Sequence, residues 1–304
     1  MKKIKLGTSN LEVGEIALGC MRMDRLTKKE ATYVIENAMD AGVDLFDHAD
    51  IYGKGKSEEV FADAIMSPSM REKMVLQTKC GIRKGYFDFS KEHILASVDD
   101  SLKRLKTDYI DVLLLHRPDT LMEPEEVAEA FTTLKENGKV RHFGVSNQNP
   151  LQMELLKKYM KQDLIINQMQ LSLMHTPMID AGFNVNMQNN PAIVRDSGVL
   201  EYSRLNDMTI QAWSPFQYGM IEGPFIGNPD YPEVNAKLQE MAEKKGVTDS
   251  AIAIAWILRH PANIQPVVGT MNPQRLTNIA KASDVTLTRE EWYELYRAAG
   301  NDLP

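Results

Sequence analysis

The chain has 304 residues, of which 43% are hydrophobic and 25% charged, and it carries a formal charge of -7. That length and composition describe a globular protein able to bury a large core in one domain, and the negative balance disfavours nucleic acid or an anionic membrane surface as the main partner, while a local cationic spot can still hold one phosphate. The longest apolar run, Ala251 to Leu258, falls far short of the roughly 20 residues that span a bilayer, so no membrane partner is expected.

Met1 to Lys5 is Lys-rich, but Gly7, Thr8, Ser9 and Asn10 follow instead of the apolar segment that a secretory leader needs, so a cytoplasmic location is expected. Cys20 and Cys80 lie far apart without CxxC spacing, which gives neither a disulfide framework nor a zinc site; both are expected to stay reduced.

In chain order, Lys3 to Leu6 and Leu11 to Val13 alternate around the turn formers Gly7-Thr8-Ser9-Asn10, which predicts a hairpin suited to plugging a barrel floor. Short β-rich runs then alternate with runs of helical spacing. The strands are predicted at Glu15 to Leu18, Val43 to Phe46, Met74 to Thr78, Tyr109 to Leu115, Val140 to Val145, Leu164 to Asn167, Thr209 to Ala212 and Ile264 to Val268. The helices between and after them are predicted at Lys28 to Ala41, Ser57 to Met66, Lys91 to Leu105, Pro124 to Asn137, Leu151 to Met160, Val199 to Leu205, Glu233 to Lys245, Ser250 to Arg259 and Pro273 to Ala282. Ala41-Gly42 and Asn137-Gly138 supply left-handed caps that turn the chain back.

Eight strand-helix units in about 300 residues are the arithmetic of a (β/α)8 TIM barrel, with a doubly wound open sheet as the alternative. No Gly-x-Gly-x-x-Gly follows the first strand, which removes support from the dinucleotide-binding form of that alternative. The expected fold is therefore one α/β domain over residues 1–304, a (β/α)8 TIM barrel with an N-terminal β-hairpin, long top-face loops and a C-terminal helix. The two long loops, Leu171 to Gly198 and Pro215 to Pro232, fall after strands and are expected to cover substrate and cofactor.

Chemistry gathers at strand ends. Asp47 lies where the second strand meets its top loop, Tyr52 follows in that loop, Lys79 ends the third strand and His116 ends the fourth. A lysine near a barrel axis needs an anionic partner, and Asp47 can supply one. Residues at the carboxyl ends of barrel strands read as catalytic, and an acid, a phenol, an amine and an imidazole on one rim make a proton-donating site for carbonyl chemistry.

These segments, Phe46-Asp47-His48-Ala49-Asp50-Ile51-Tyr52-Gly53, Thr78-Lys79-Cys80-Gly81 and Leu114-Leu115-His116-Arg117-Pro118-Asp119, resemble those of the aldo-keto reductase superfamily. Further resemblance lies in Gly144-Val145-Ser146-Asn147, Asn167-Gln168-Met169-Gln170 and Gly269 to Leu276. The span from Ile179 to Ser214 is most similar to the bacterial YdhF-like oxidoreductase branch. The resemblance implies an NADP(H)-dependent reductase of aldehydes or ketones. In it, Tyr52 donates the proton, Lys79 lowers the phenol's pKa from about 10, Asp47 holds Lys79, and His116 orients the carbonyl.

It also implies the cofactor contacts. Ser146, Asn147 and Gln168 hydrogen-bond the nicotinamide carboxamide, and Trp213 stacks on the ring with Ser214 and Gly219 close by. Thr270 and Arg275 hold the 2′-phosphate, and Asn278 lies near the adenine. Arg275 makes NADP(H) the favoured cofactor. Gly269, where many relatives carry Lys, removes one positive charge and leaves NAD(H) possible. Met21, Tyr86 and Met174 are expected in the substrate pocket, and His175 has no assigned role. The expected partner is a small-molecule carbonyl compound, with the oligomeric state open.

Other readings use the same residues. A Schiff-base lyase or aldolase would take Lys79 as nucleophile and Tyr52 as proton shuttle, although Asp47 keeps that amine protonated. A cofactor-sensing regulatory subunit would keep the binding site without turnover. A metal hydrolase would need Asp47, His48, Asp50 and His116, but His48 follows Asp47 on an extended strand and points the other way, so no metal site is expected.

Overall fold

The computed structural model describes residues 1–65 and 67–304. Among them, eight strands close into a parallel barrel: β1 (Ala17–Gly19), β2 (Leu45–Asp47), β3 (Val75–Cys80), β4 (Ile110–Leu115), β5 (Val140–Ser146), β6 (Leu164–Gln170), β7 (Thr209–Trp213) and β8 (Ile264–Val268). Each pairs with the next, and β8 returns to β1 through Val267 and Val268 beside Ala17 and Leu18. Strands covered by helices on one side and packed side chains on the other must be apolar on both, which is why all six residues of β4 are buried. The barrel expected from the alternation is the observed fold.

The surrounding helices form where local signals agree. Thr27 caps Lys28–Asp40 reciprocally with Glu30, and Ala31, Val34, Ile35 and Ala38 turn one face to the barrel. Gly42 and Gly138 take positive φ just beyond two helices, as their caps require. The C-terminal helix is Arg289–Ala298, opened by a capping box between Thr288 and Glu291.

Several boundaries differ from expectation, and in one direction at the rim. The strands ending at Cys80, Ser146, Gln170 and Trp213 run past the predicted Thr78, Val145, Asn167 and Ala212. Polar side chains are needed at the mouth, so apolar patterning stops before the backbone ladder does. The second outer helix is Lys56–Ala64 rather than Ser57 to Met66, whose last residue lies outside the described ones. The stretch read as irregular contains a helix, Pro177–Phe183, tied down by Tyr296 OH donating to Asp180 Oδ1 at 2.6 Å. Two small hairpins, Ile82–Arg83 with Tyr86–Phe87 and Gln217–Tyr218 with Gly223–Pro224, rise from the top loops and were not expected from the pattern.

The N-terminal hairpin, Lys3–Lys5 with Glu12–Gly14, does close the floor. Leu6 and Val13 are fully buried beneath Ala17, Leu45, Val112 and Ile165. Gly7 there has φ +52°, and a Cβ would stand 2.4 Å from the Ile165 carbonyl oxygen, so only glycine fits. Among the described residues, no helix is long and apolar enough to cross a membrane.

Candidate active site

Lys79 is fully buried at the end of β3, and burial of so costly a cation requires partners. Its Nζ donates to Asp47 Oδ1 at 2.7 Å, Asp47 Oδ2 at 2.8 Å, the His48 carbonyl at 2.8 Å and Tyr52 OH at 3.2 Å. An ammonium has only donors, so the Tyr52 oxygen must accept in that contact. The phenol's own proton is thereby left free for a ligand. Burial alone would lower the Lys79 pKa, but Asp47 and Tyr52 reverse this and hold it above its ordinary value.

Tyr52 departs from the expected direction. Burial raises its pKa by more than Lys79 lowers it, and the net position is above that of an ordinary phenol. The expectation counted the ammonium and omitted desolvation, which penalises the phenolate in the same pocket. In the resting site Lys79 therefore does not empty the hydroxyl, and its charge is placed to stabilise any negative charge that develops on that oxygen.

His116 stands edge-on to Tyr52, ring centroids 6.1 Å apart. Burial, then Lys79 and Arg117, push its pKa well below the ordinary imidazole range, so the ring is neutral, and its Nδ1 is buried without a partner. Two groups on this rim can thus donate hydrogen bonds while holding their protons. His48 is buried on the far side of its strand, T-shaped against Phe61 at 4.6 Å. Among the described residues, no group of three or more His, Cys, Asp or Glu side chains is placed to hold a metal. Both cysteines are buried and free, with pKa values raised by burial.

Beside these four residues, β5, β6 and β7 present a second polar set. Trp213 Nε1 donates to Asn147 Oδ1 at 3.1 Å, Asn147 Nδ2 to Ser146 Oγ at 2.7 Å, and Ser146 Oγ to the Gln168 carbonyl at 2.9 Å. Asn147 and Ser214 adopt positive φ just past their strands, which turns the chain at the mouth. At the β8 end, Thr270 Oγ1 accepts from the backbone of Asn272, and the helix Pro273–Ala280 begins with Arg275 exposed and Asn278 half-buried.

A model of the Aldo/keto reductase family matches residues 3–299 of the chain. The chain belongs to the aldo/keto reductase family. This reductase is 36% identical to the oxidoreductase YcsN of Bacillus subtilis over 100% of both chains, and 36% identical to a 6-dehydroglucose reductase of Agrobacterium fabrum over 98% of both. It is 31% identical to the oxidoreductase YdhF of Escherichia coli over 100% of both chains, which places it in the YdhF-like branch. An aldo/keto reductase from Klebsiella pneumoniae, solved with NADP and acetate, has the same fold. It gives a TM-score of 0.78 at 23% identity, with 100% of this chain and 98% of that one covered. The enzyme is an oxidoreductase.

The remaining expected site residues lie in the loops that follow the strands, as does His175. Tyr86 is 56% exposed on its hairpin, with the Arg83 guanidinium 5.7 Å from the ring. Met21 is exposed at the end of β1, and Met174 is half-buried against the core. Gly219 takes φ +54° in the loop after β7, and its carbonyl accepts from Gln170 Nε2. His175 pairs with Ser172 in an isolated bridge.

Other contributors escaped the sequence. Arg22, from the loop after β1, donates through Nη1 to the Gly269 carbonyl at 3.0 Å, and a Cβ on Gly269 would stand 3.1 Å from that nitrogen. A cation from the far end of the chain therefore stands beside Gly269. Arg117, next to His116, reaches to within 5.6 Å of the Trp213 ring. Among the described residues it has no hydrogen-bond or ion-pair partner, and burial lowers its pKa. Gln77, Gln211 and Gln265 also point inward from β3, β7 and β8. Their signal was present as single amides interrupting otherwise apolar strands.

Proposed function

We propose that this protein reduces aldehyde or ketone carbonyls of small molecules to alcohols in the cytoplasm, using NADP(H). The observation that carries the reading is the Lys79 ammonium set between the Asp47 carboxylate and the Tyr52 hydroxyl. A bound reduced nicotinamide would supply the hydride to the carbonyl carbon. Tyr52 gives its proton to the carbonyl oxygen, and the phenolate left behind is stabilised by Lys79 in a dry site, where such an interaction is strongest. Neutral His116 donates a hydrogen bond to the same oxygen and fixes the carbonyl without giving up its proton.

Ser146, Asn147 and Gln168 fit the carboxamide of that nicotinamide, and the Trp213 ring beside them fits its flat face. Thr270, Arg275 and Arg22 suit the phosphate-bearing end. Arg275, exposed and without a side-chain partner among the described residues, suits the 2′-phosphate that distinguishes NADP(H) from NAD(H). An Arg275→Met variant is expected to weaken NADPH by about 10- to 100-fold, the worth of a lost charge-assisted contact, and to leave NADH unchanged. Fluorescence titration with both dinucleotides checks this, and equal losses would move the 2′-phosphate elsewhere.

The raised pKa of Lys79 supports a reductase over a Schiff-base lyase, which needs a free amine. Two relatives, at 36% and 32% identity, are 6-dehydroglucose reductases. Unpaired Arg117 suits an oxygen-rich substrate of that kind. The test follows NADPH oxidation against a panel of aldehydes, ketones and quinones that includes 6-dehydroglucose. Turnover of at least one carbonyl class is expected; tight NADPH binding with no turnover on any member would favour a cofactor-sensing subunit.

A further inference from the structure

Inside the barrel, below the rim, four glutamine side chains form a continuous chain from the floor to Asp47. Gln265 Nε2 donates to the Gly14 carbonyl at 2.7 Å. Gln211 Nε2 donates to Gln265 Oε1 at 2.9 Å. Gln211 Oε1 then accepts from two amides, Gln77 Nε2 at 2.7 Å and Gln168 Nε2 at 2.9 Å. Those same two nitrogens donate their second hydrogens to Asp47 Oδ1, at 2.5 Å and 3.2 Å. All four residues are buried. Gln168, Gln211 and Gln265 are neighbours in register on β6, β7 and β8, while Gln77 crosses the interior from β3.

The order of donors leaves one consistent orientation for every amide. A carboxamide can turn over and exchange its oxygen for its NH2, but the two ends of this chain cannot: Gly14 offers a backbone carbonyl and Asp47 a carboxylate, and both only accept. The carbonyl at the floor takes the NH2 of Gln265, so the oxygen of Gln265 faces Gln211. The NH2 of Gln211 turns to meet it, and its oxygen faces upward, where it must be met by NH2 groups from Gln77 and Gln168. Turning Gln211 over would set its NH2 against two others and its oxygen against that of Gln265. In a buried site each such mismatch leaves polar atoms unpaired at a cost no solvent relieves.

We infer that Gln211, which hydrogen-bonds to none of Asp47, Tyr52, Lys79 or His116, is a positioning residue that sets the amides of Gln77 and Gln168 and through them the carboxylate that holds Lys79. The inference rests on the reductase reading above. It has two consequences. Asp47 Oδ1 receives hydrogens from both glutamines besides Lys79, which fixes the direction in which the carboxylate faces. Gln168, with both N–H groups committed to Asp47 and Gln211, turns its oxygen to the mouth and so selects a ligand amide that presents NH2.

The test uses Gln211→Met, similar in length and unable to hydrogen-bond as an amide, with Gln265→Met, one link further down, as the second variant should the first fail to fold. Thermal unfolding establishes that the variant is folded. Binding of NADPH is compared with that of its 3-acetylpyridine analogue, which has a methyl where the carboxamide has NH2. Wild type is expected to prefer NADPH, and the variant to lose about tenfold of that preference as Gln168 is left with only its longer, 3.2 Å contact to Asp47 Oδ1. Carbonyl turnover is expected to split the same way, kcat falling several-fold with KM for the carbonyl little changed, as the carboxylate that aims Lys79 is held less firmly. A folded variant with the wild-type preference and the wild-type kcat would overturn the inference. Failure of the wild type to bind NADPH would instead overturn the reductase reading.

Discussion

Tyr52→Phe is expected to cut carbonyl reduction by about 10²- to 10⁴-fold, the usual worth of a positioned general acid, while NADPH binds as before. The substitution removes one oxygen and keeps the ring. Lys79 keeps its other contacts, to Asp47 at 2.7 and 2.8 Å and to the His48 carbonyl at 2.8 Å, so the carboxylate-ammonium pair survives. Neutral His116 can hold the carbonyl oxygen but does not replace the acid, because burial and the nearby positive charge keep the ring from taking up the extra proton that would make it an imidazolium acid. The pH profile follows from the same site. Reduction needs Tyr52 protonated, and its pKa stands above the ordinary phenol value, so wild-type reduction should persist through neutral pH and decline only in strong alkali. Steady-state kinetics with NADPH fluorescence titration checks both parts; turnover near wild type in Tyr52→Phe would remove the phenol from the mechanism.

Lys79→Met is expected to abolish reduction and also to destabilise the fold by about 3 to 5 kcal/mol, because it strands the Asp47 charge in the barrel interior. Asp47 is 2% exposed and Lys79 0%, so solvent cannot take over the lost partner. Adding Asp47→Asn to Lys79→Met should return much of the stability by removing the stranded charge, and none of the activity. A denaturant series on the single and double variants, run beside the kinetic assay, separates the two effects. Destabilisation that persists in the double variant would point to lost packing rather than to charge. The folded Lys79 pKa is raised, so the pair's contribution is complete below the unfolded lysine value and is lost only as pH rises through the folded one. The single variant's deficit should therefore be present throughout the neutral range.

How much of this could be read from the chain depends on how local each signal is. β8 was legible to the residue, and the helices Lys91–Leu105 and Val199–Leu205 likewise, because apolar period, caps and glycines act within a few positions. The helix Pro177–Phe183 was missed because it is held from a distance: Asp180 accepts from Tyr296, 116 residues further on, and Phe183 packs on Tyr293 and Tyr296. The hairpin that carries Tyr86, with the Arg83 guanidinium 5.7 Å from its ring, was missed because each of its strands is two residues long, too short to show an alternating period.

By itself, the order of residues determined the eight-stranded barrel and the delivery of Asp47, Tyr52, Lys79 and His116 to one rim, since alternation and strand-end polarity are properties of short segments. Tertiary structure alone decided the net proton affinity of Tyr52, the placing of the Arg22 cation beside Gly269 across 247 residues, and the meeting of Gln77 with Gln211 across 134. Those outcomes depend on desolvation and on angstrom-scale distances between strands, and both exist only once the barrel has closed.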